Sequence, residues 1–174
     1  MKDWRGVPMP PSRLAALVRD DPRVRAYDTR KGRSLSRNFE HYLEASLRPL
    51  ARWEDVRDFL TGCLYAKDDV EHARRDVWLH PEDFEKSLKG DCEDHALWAF
   101  VQLARLTWDV RFTVGIWDGI GHAWVTVYRE TKVFLLEATE KRGEKILFEA
   151  TSRAPYEPVW SVDTRPRFFV HAKP

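Results

Sequence analysis

Two short runs carry residue types that could do chemistry together. In Gly90-Asp91-Cys92-Glu93-Asp94-His95-Ala96 a cysteine opens an apolar helical stretch, and downstream Gly121-His122-Ala123-Trp124-Val125 brings a histidine into a strand. A thiol attacks a carbonyl only as its thiolate. Both a helix N-terminus and a nearby imidazolium favour that anion. The layout therefore makes Cys92 a candidate nucleophile and His122 its candidate base. An imidazole in this role needs a third group that fixes its tautomer and stabilises its charge. Glu137, in Leu135-Leu136-Glu137-Ala138-Thr139, supplies one: a hairpin turning at Arg129–Lys132 brings His122 and Glu137 close across two strands.

The neighbours of Cys92 raise further questions. His95 is a rival base, but it lies three residues along the same helix, on a neighbouring face, and reads as a packing residue. Asp91, Glu93 and Asp94 would raise the pKa of a thiol beside them, against the helix dipole. Capping and first-turn charge account for them most simply, with Asp91 as N-cap and Asp94 completing a capping box. A hard cation such as Ca²⁺, which carboxylate oxygens suit, is the sharper alternative. An oxyanion needs donors too: the Cys92 backbone N–H is one, and Trp78 or Tyr65 could provide a second. Cys63, on the apolar face of a helix over 53–64, reads as a small buried hydrophobe.

Elements that could position these residues follow from hydrophobic periodicity. Short helices are expected over 13–19, stopped by Asp20-Asp21-Pro22, and over 37–47, ending before Pro49. Trp53, Val56, Phe59, Leu60, Cys63 and Leu64 recur at helical spacing. Residues 28–36 and 66–76 read as loops, and Pro81-Glu82-Asp83-Phe84 as a helical turn with proline near its start. The helix from Cys92 to about Thr107 is apolar nearly all round and so must be buried on several sides. Strands are expected over 111–117, 122–128 and 133–139, with two more over 145–150 and 167–171, and a turn at Asp118-Gly119-Ile120-Gly121. Helices followed by an antiparallel meander make an α+β fold, with a helical extension over 1–50 packed on a core over 51–174.

Composition excludes several classes. The 174 residues are 43% hydrophobic and 33% charged, a globular balance rather than a disordered one. The net charge of +1, with no basic tract, gives no field for nucleic acid or an anionic membrane. Two cysteines make no disulfide framework and point to a reducing compartment. No apolar h-region follows Met1 and no stretch is long enough to span a bilayer, so the expected location is cytoplasmic. The eight tryptophans fit core packing and the lining of a groove.

These residues resemble the transglutaminase-like cysteine peptidase superfamily, in particular its bacterial branch. The lead-in of Tyr65, Asp76-Val77-Trp78 and Pro81-Glu82 is similar to that branch, as are the cysteine run and the histidine strand; the resemblance covers about residues 55–140. It implies a papain-like α+β core with a central cysteine helix against an antiparallel sheet. It also implies a triad of Cys92, His122 and an acid, with Glu137 standing where aspartate is usual. In one exported branch that cleaves adhesins the acids around the cysteine bind calcium, and Asp91, Glu93 and Asp94 match those positions. The expected activity is cysteine-dependent hydrolysis of amide or peptide bonds in a protein or peptide substrate. No cofactor is required, and calcium is the one open question. Acyl transfer to an amine, a deglycosylating amidase, or a non-catalytic peptide-binding module on the same fold are the alternatives; oligomeric state is not legible.

Overall fold

The computed structural model describes residues 2–20, 27–28, 30, 32–33, 39–68 and 77–171. The chain runs β1 (Val7–Pro8), α1 (Pro11–Asp20), β2 (Tyr27–Asp28), β3 (Gly32–Arg33), α2 (Phe39–Leu43), α3 (Trp53–Gly62), β4 (Leu64–Tyr65) and β5 (Val77–Trp78). It continues with α4 (Pro81–Ser87), β6 (Lys89–Gly90), α5 (Cys92–Arg105), β7 (Asp109–Trp117), β8 (Ile120–Arg129), β9 (Lys132–Leu136), β10 (Leu147–Glu149), β11 (Tyr156–Asp163) and β12 (Phe168–Val170). Apart from the short edge strand β1, helices thus precede a large antiparallel sheet, the α+β arrangement expected. Residues 21–22, 37–38 and 69–76, where a helix stop, a helix start and much of a loop were expected, lie outside the described residues; Asp76 is among them.

The sheet has seven strands in the order β1-β12-β11-β7-β8-β9-β10, every neighbouring pair antiparallel. Its centre is set by local turn chemistry. Asp118 and Gly119 both take positive φ, 47° and 81°, which makes the two-residue hairpin turn whose twist matches that of the strands. Trp117 therefore pairs with Ile120, and Gly115 falls opposite His122. The turn is two residues long rather than the four expected, and β8 starts at Ile120. Gly115 has no room for a side chain: a Cβ there would lie 2.1 Å from the Glu157 carbonyl oxygen.

Alternation along β8 sends Ala123, Val125 and Val127 to one face and Trp124 to the other. The cysteine helix α5 packs on the first face, and every residue from Cys92 to Leu103 is buried. Leu97, Trp98, Phe100 and Leu103 are wholly withdrawn from solvent, each worth roughly 1.5–3 kcal/mol of apolar burial. Polar groups at the helix edge find partners: Trp98 Nε1 donates to Glu85 Oε2 at 2.9 Å, and Gln102 Nε2 to the Arg48 carbonyl at 3.0 Å. Phe39 of α2 enters the same core, 6.0 Å from the Phe100 ring and 5.7 Å from Phe112.

The opposite face buries Trp124, Leu135 and Tyr156, with Trp4 packed against them. Here the N-terminal segment closes over the sheet: Tyr128 Oη donates to the Trp4 carbonyl, and Val7 pairs with Val170. Strand β11, central between β12 and β7, is absent from the sequence-based expectation. Its alternation is interrupted at Pro158, where the register shifts before Trp160. Two further departures matter for the site. The α3 helix ends at Gly62, so Cys63 is its C-cap, still buried. Strand β9 ends at Leu136 rather than at Thr139, so Glu137 stands one residue beyond the ladder.

Candidate active site

Cys92 is the first residue of α5. Asp91 precedes it in an extended conformation, and the Asp94 carboxylate reaches back to accept the Asp91 N–H at 3.2 Å, one arm of a capping box. Gly90 leaves room for this return: a Cβ at that position would lie 2.4 Å from Asp94 Oδ2. Cys92 and His122 line one cleft of about 110 Å³, together with Trp78, Glu93, Gly121 and Ala123. The start of the helix and the start of strand β8 thus meet at a common opening.

His122 is bound from the side by Glu137, Nε2 to Oε2 at 2.7 Å. The β8–β9 register places Val125 opposite Leu136, which puts Glu137 diagonal to His122 across the hairpin, as the turn position led one to expect. Three further bonds hold the carboxylate. Tyr156 Oη donates to Oε2 at 2.8 Å, while Thr139 donates to Oε1 from its hydroxyl at 2.6 Å and its backbone N–H at 3.2 Å. Burial alone would raise the Glu137 pKa, but His122, Thr139 and Tyr156 together outweigh it and hold the group below the ordinary value. Thr139 lay within the run already singled out. Tyr156 was missed with the strand that carries it.

The helix side has the opposite character. The Cys92 thiol donates to Glu93 Oε2 at 3.1 Å. Burial, then the charges of Glu93 and Asp91, push its pKa well above the ordinary value, while the Ala123 N–H acts in the other direction. Asp91, Glu93 and Asp94 are themselves all raised, by burial first; the charge of a neighbouring acid adds to this in each, while hydrogen bonds with Asp91 and Cys92 pull Glu93 the other way. Among the described residues no lysine or arginine forms an ion pair with these three. One oxygen, Asp91 Oδ1, is buried with no hydrogen-bond partner.

Asp68 joins the cluster and was missed by the sequence reading; an acid in an upstream polar stretch gives no signal of its own. One oxygen each from Asp68, Asp91 and Asp94 lies within 4.8 Å of the others, and Asp91, Cys92 and Glu93 form a second such group. Oxygens that close lie no more than about 2.8 Å from a common point between them, so a small inward shift brings them to the ~2.4 Å a calcium ion takes. The all-oxygen donor set and the orphaned Asp91 oxygen fit a hard cation. Two of the acids also brace backbone: Asp68 accepts the Val77 N–H at 2.5 Å and Asp94 the Leu79 N–H at 2.7 Å. Trp78 lies between these two anchors and against the cleft.

The remaining candidates are close by. Tyr65 is half exposed, its ring stacked 6.4 Å from His95. Its hydroxyl is raised above the ordinary value by burial first and then by the charges of Cys92, Asp91 and Glu93. His95 is fully buried against Phe84, its Nδ1 2.7 Å from the Asp91 carbonyl and its Nε2 3.4 Å from Lys141 Nζ. Its pKa is lowered to about 4 by burial and by Lys141.

No protein-family model and no curated protein sequence matches this chain. Among solved structures it is similar to Legionella pneumophila LapG, with a TM-score of 0.55 and 23% identity over 67% of this chain and 64% of that one. The calcium-bound form of LapG gives 0.55 and 23%, over 67% of this chain and 66% of LapG. The EGTA-treated form gives 0.56 and 24%, over 70% of this chain and 66% of LapG. The likeness is one of fold, and it spans just under two thirds of the length of LapG. Among the described residues no helix is long and apolar enough to cross a membrane.

Proposed function

We propose that the protein is a cysteine-dependent hydrolase of amide or peptide bonds, acting on a protein or peptide through a thioester on Cys92. One observation carries this reading: the cleft that Cys92 shares with His122 is backed by the 2.7 Å bond from His122 Nε2 to Glu137. That bond leaves Nδ1 as the ring nitrogen able to take the thiol proton. The thiolate then attacks the carbonyl carbon, with the Cys92 N–H and a donor from Trp78 or Tyr65 facing the oxyanion. His122 returns its proton to the leaving amine, and water resolves the thioester. Resolution by an amine instead of water would make the same residues a transglutaminase.

Asp68, Asp91, Glu93 and Asp94 would hold a calcium ion, which supplies positive charge to offset carboxylates that otherwise oppose a thiolate. The donor set described above supports this, as does the fold shared with LapG, whose structures include calcium-bound and EGTA-treated forms. A second reading, a peptide-binding module without catalysis, draws on the hydrogen bond of the Cys92 thiol to Glu93 rather than to His122.

Iodoacetamide labelling of the native protein against pH, with calcium or with chelator, separates the two. Mass spectrometry at each cysteine reads it, with Cys63 as internal control, its thiol raised to about 11 by burial. The hydrolase reading expects Cys92 to alkylate well below pH ~8 and far faster than Cys63 when calcium is present. Slow labelling of Cys92 in both conditions, with an ordinary thiol profile, would favour the binding module.

A further inference from the structure

His122 separates two clefts. Beyond the one that holds Cys92 lies a larger one, about 350 Å³, lined by Trp117, Glu137, Glu140, Lys141, Arg142 and Tyr156 along with His122 itself. Among the described residues His122 is the only one common to both. In a thiol hydrolase the histidine hands its proton to the departing amine, so the leaving segment lies on the histidine side of the nucleophile. The second cleft occupies that side.

Its charges are unevenly committed. Glu137 accepts from His122, Tyr156 and Thr139. Glu140 is clasped by Arg142, through its backbone N–H at 2.9 Å and through Nε at 2.8 Å and Nη2 at 2.5 Å. Among the described residues Lys141 has no such carboxylate: its Nζ donates to the Leu60 carbonyl at 2.9 Å and to His95 Nε2 at 3.4 Å. Because His95 Nδ1 is bonded to the Asp91 carbonyl, its Nε2 is the accepting nitrogen, which leaves Lys141 a third N–H; burial lowers the lysine pKa, and the nearby charges of Glu137 and Glu140 act against that. The wall opposite is the partly exposed ring of Trp117 at the hairpin end.

Resting on the thiol-hydrolase reading above, we infer that this cleft binds the leaving-group side of the substrate and selects an acidic residue there, with Lys141 as the group that recognises its carboxylate. Nucleophile partitioning tests this without knowledge of the natural substrate. p-Nitrophenyl acetate acetylates Cys92; the thioester is then resolved by water or by an added amine. In the second case the amine nitrogen bonds to the carbonyl carbon, the C–S bond breaks, and the nitrogen's proton passes through His122 to the sulfur.

Aspartic acid α-amide and asparagine α-amide differ only in the carboxylate. Aminolysis by the aspartyl amine is expected to exceed that by the asparaginyl amine by about tenfold, the worth of one hydrogen bond to a charged group. Lys141→Gln is expected to bring the two to parity. The ratio counts only molecules that have acylated, so a variant that folds in part still gives a valid reading. Equal use of both amines by the unmodified protein, or a preference that survives Lys141→Gln, would overturn the inference. A Cys92 that cannot be acylated at all would overturn the hydrolase reading itself and this inference with it.

Discussion

Glu137, on the sheet side of the candidate site, and Asp91, on the helix side, are both carboxylates largely withdrawn from water, yet their surroundings treat them in opposite ways. Glu137 receives four hydrogen bonds and is held below its ordinary pKa. Asp91 has a buried oxygen with no partner, neighbours of its own sign, and a raised pKa. The sheet side is thus arranged in advance, its acid ready to stabilise a charged imidazole. The helix side is electrostatically incomplete: acids that oppose a thiolate surround the proposed nucleophile. On the proposed hydrolase reading, a site built this way keeps its base ready and its nucleophile restrained until positive charge arrives.

The largest expected effect breaks the site at its nucleophile. Cys92→Ala should lower the rate of amide or ester hydrolysis by at least about 1,000-fold with the fold retained by circular dichroism. Cys63→Ala should leave the rate intact and cost about 1 kcal/mol of stability, from loss of a small buried group. Equal loss in both variants would remove Cys92 from the mechanism. On the sheet side Glu137→Gln keeps the shape but removes the charge that supports the imidazolium and puts a donor in place of one accepting oxygen. A fall of about 100- to 10,000-fold in kcat, with an unchanged melting temperature within a few degrees, is the expected outcome. A normal rate would transfer the third role to another acid.

Calcium probes the other half of the contrast. Carboxylates with raised pKa values keep protons in the folded protein that the unfolded chain has released. Without a cation, stability therefore falls as pH rises above the ordinary carboxylate range near ~4. Calcium at about 100 times its Kd should add about 2.7 kcal/mol, or roughly 5–10 °C in Tm. The gain should grow from about pH 5 to pH 7.5 as fewer protons compete for the acids. Asp91→Asn should abolish the calcium response while raising Tm in chelator, since a neutral amide spares the cost of keeping that buried acid protonated. A Tm identical in calcium and chelator at neutral pH would leave the acids with their capping and backbone roles alone.

How far the site was legible in the sequence follows the same division. The hairpin register was readable because a turn at Arg129–Lys132 fixes every pairing along β8 and β9 by counting. The capping role of Asp94 was readable because spacing within one helix turn is local. Asp68 and Tyr156 were not, since each reaches the site through tertiary placement. The first arrives from a polar stretch without periodicity, the second from a strand whose alternation is interrupted by Pro158. The all-round apolar character of Ala96 to Leu103 announced a buried helix, but nothing in it said which face would carry the sheet. The partner of the Cys92 thiol, Glu93 rather than His122, was equally out of reach, because it depends on one side-chain rotation.

The smallest predicted effect sharpens the comparison from the sheet side. Tyr156 Oη gives Glu137 one of its four hydrogen bonds, and burial together with the Glu137 charge raises the tyrosine pKa, so it remains a donor through neutral pH. Tyr156→Phe removes that bond and leaves the ring packing with Trp124 and Phe148 in place. The Glu137 pKa should then rise, by roughly half to one pH unit for a bond worth about 1 kcal/mol. The sign follows from the working form. The carboxylate supports His122, so activity is lost as pH falls through the Glu137 pKa, and in the variant that loss begins at higher pH. Stability moves the same way: a carboxylate held low stabilises the fold above its unfolded pKa and loses that contribution as pH falls through the folded one. The acid limb of kcat against pH should therefore shift upward in Tyr156→Phe while the plateau at neutral pH drops only a few-fold. An acid limb that stays in place would mean that the bonds from His122 and Thr139 alone set the charge state of Glu137.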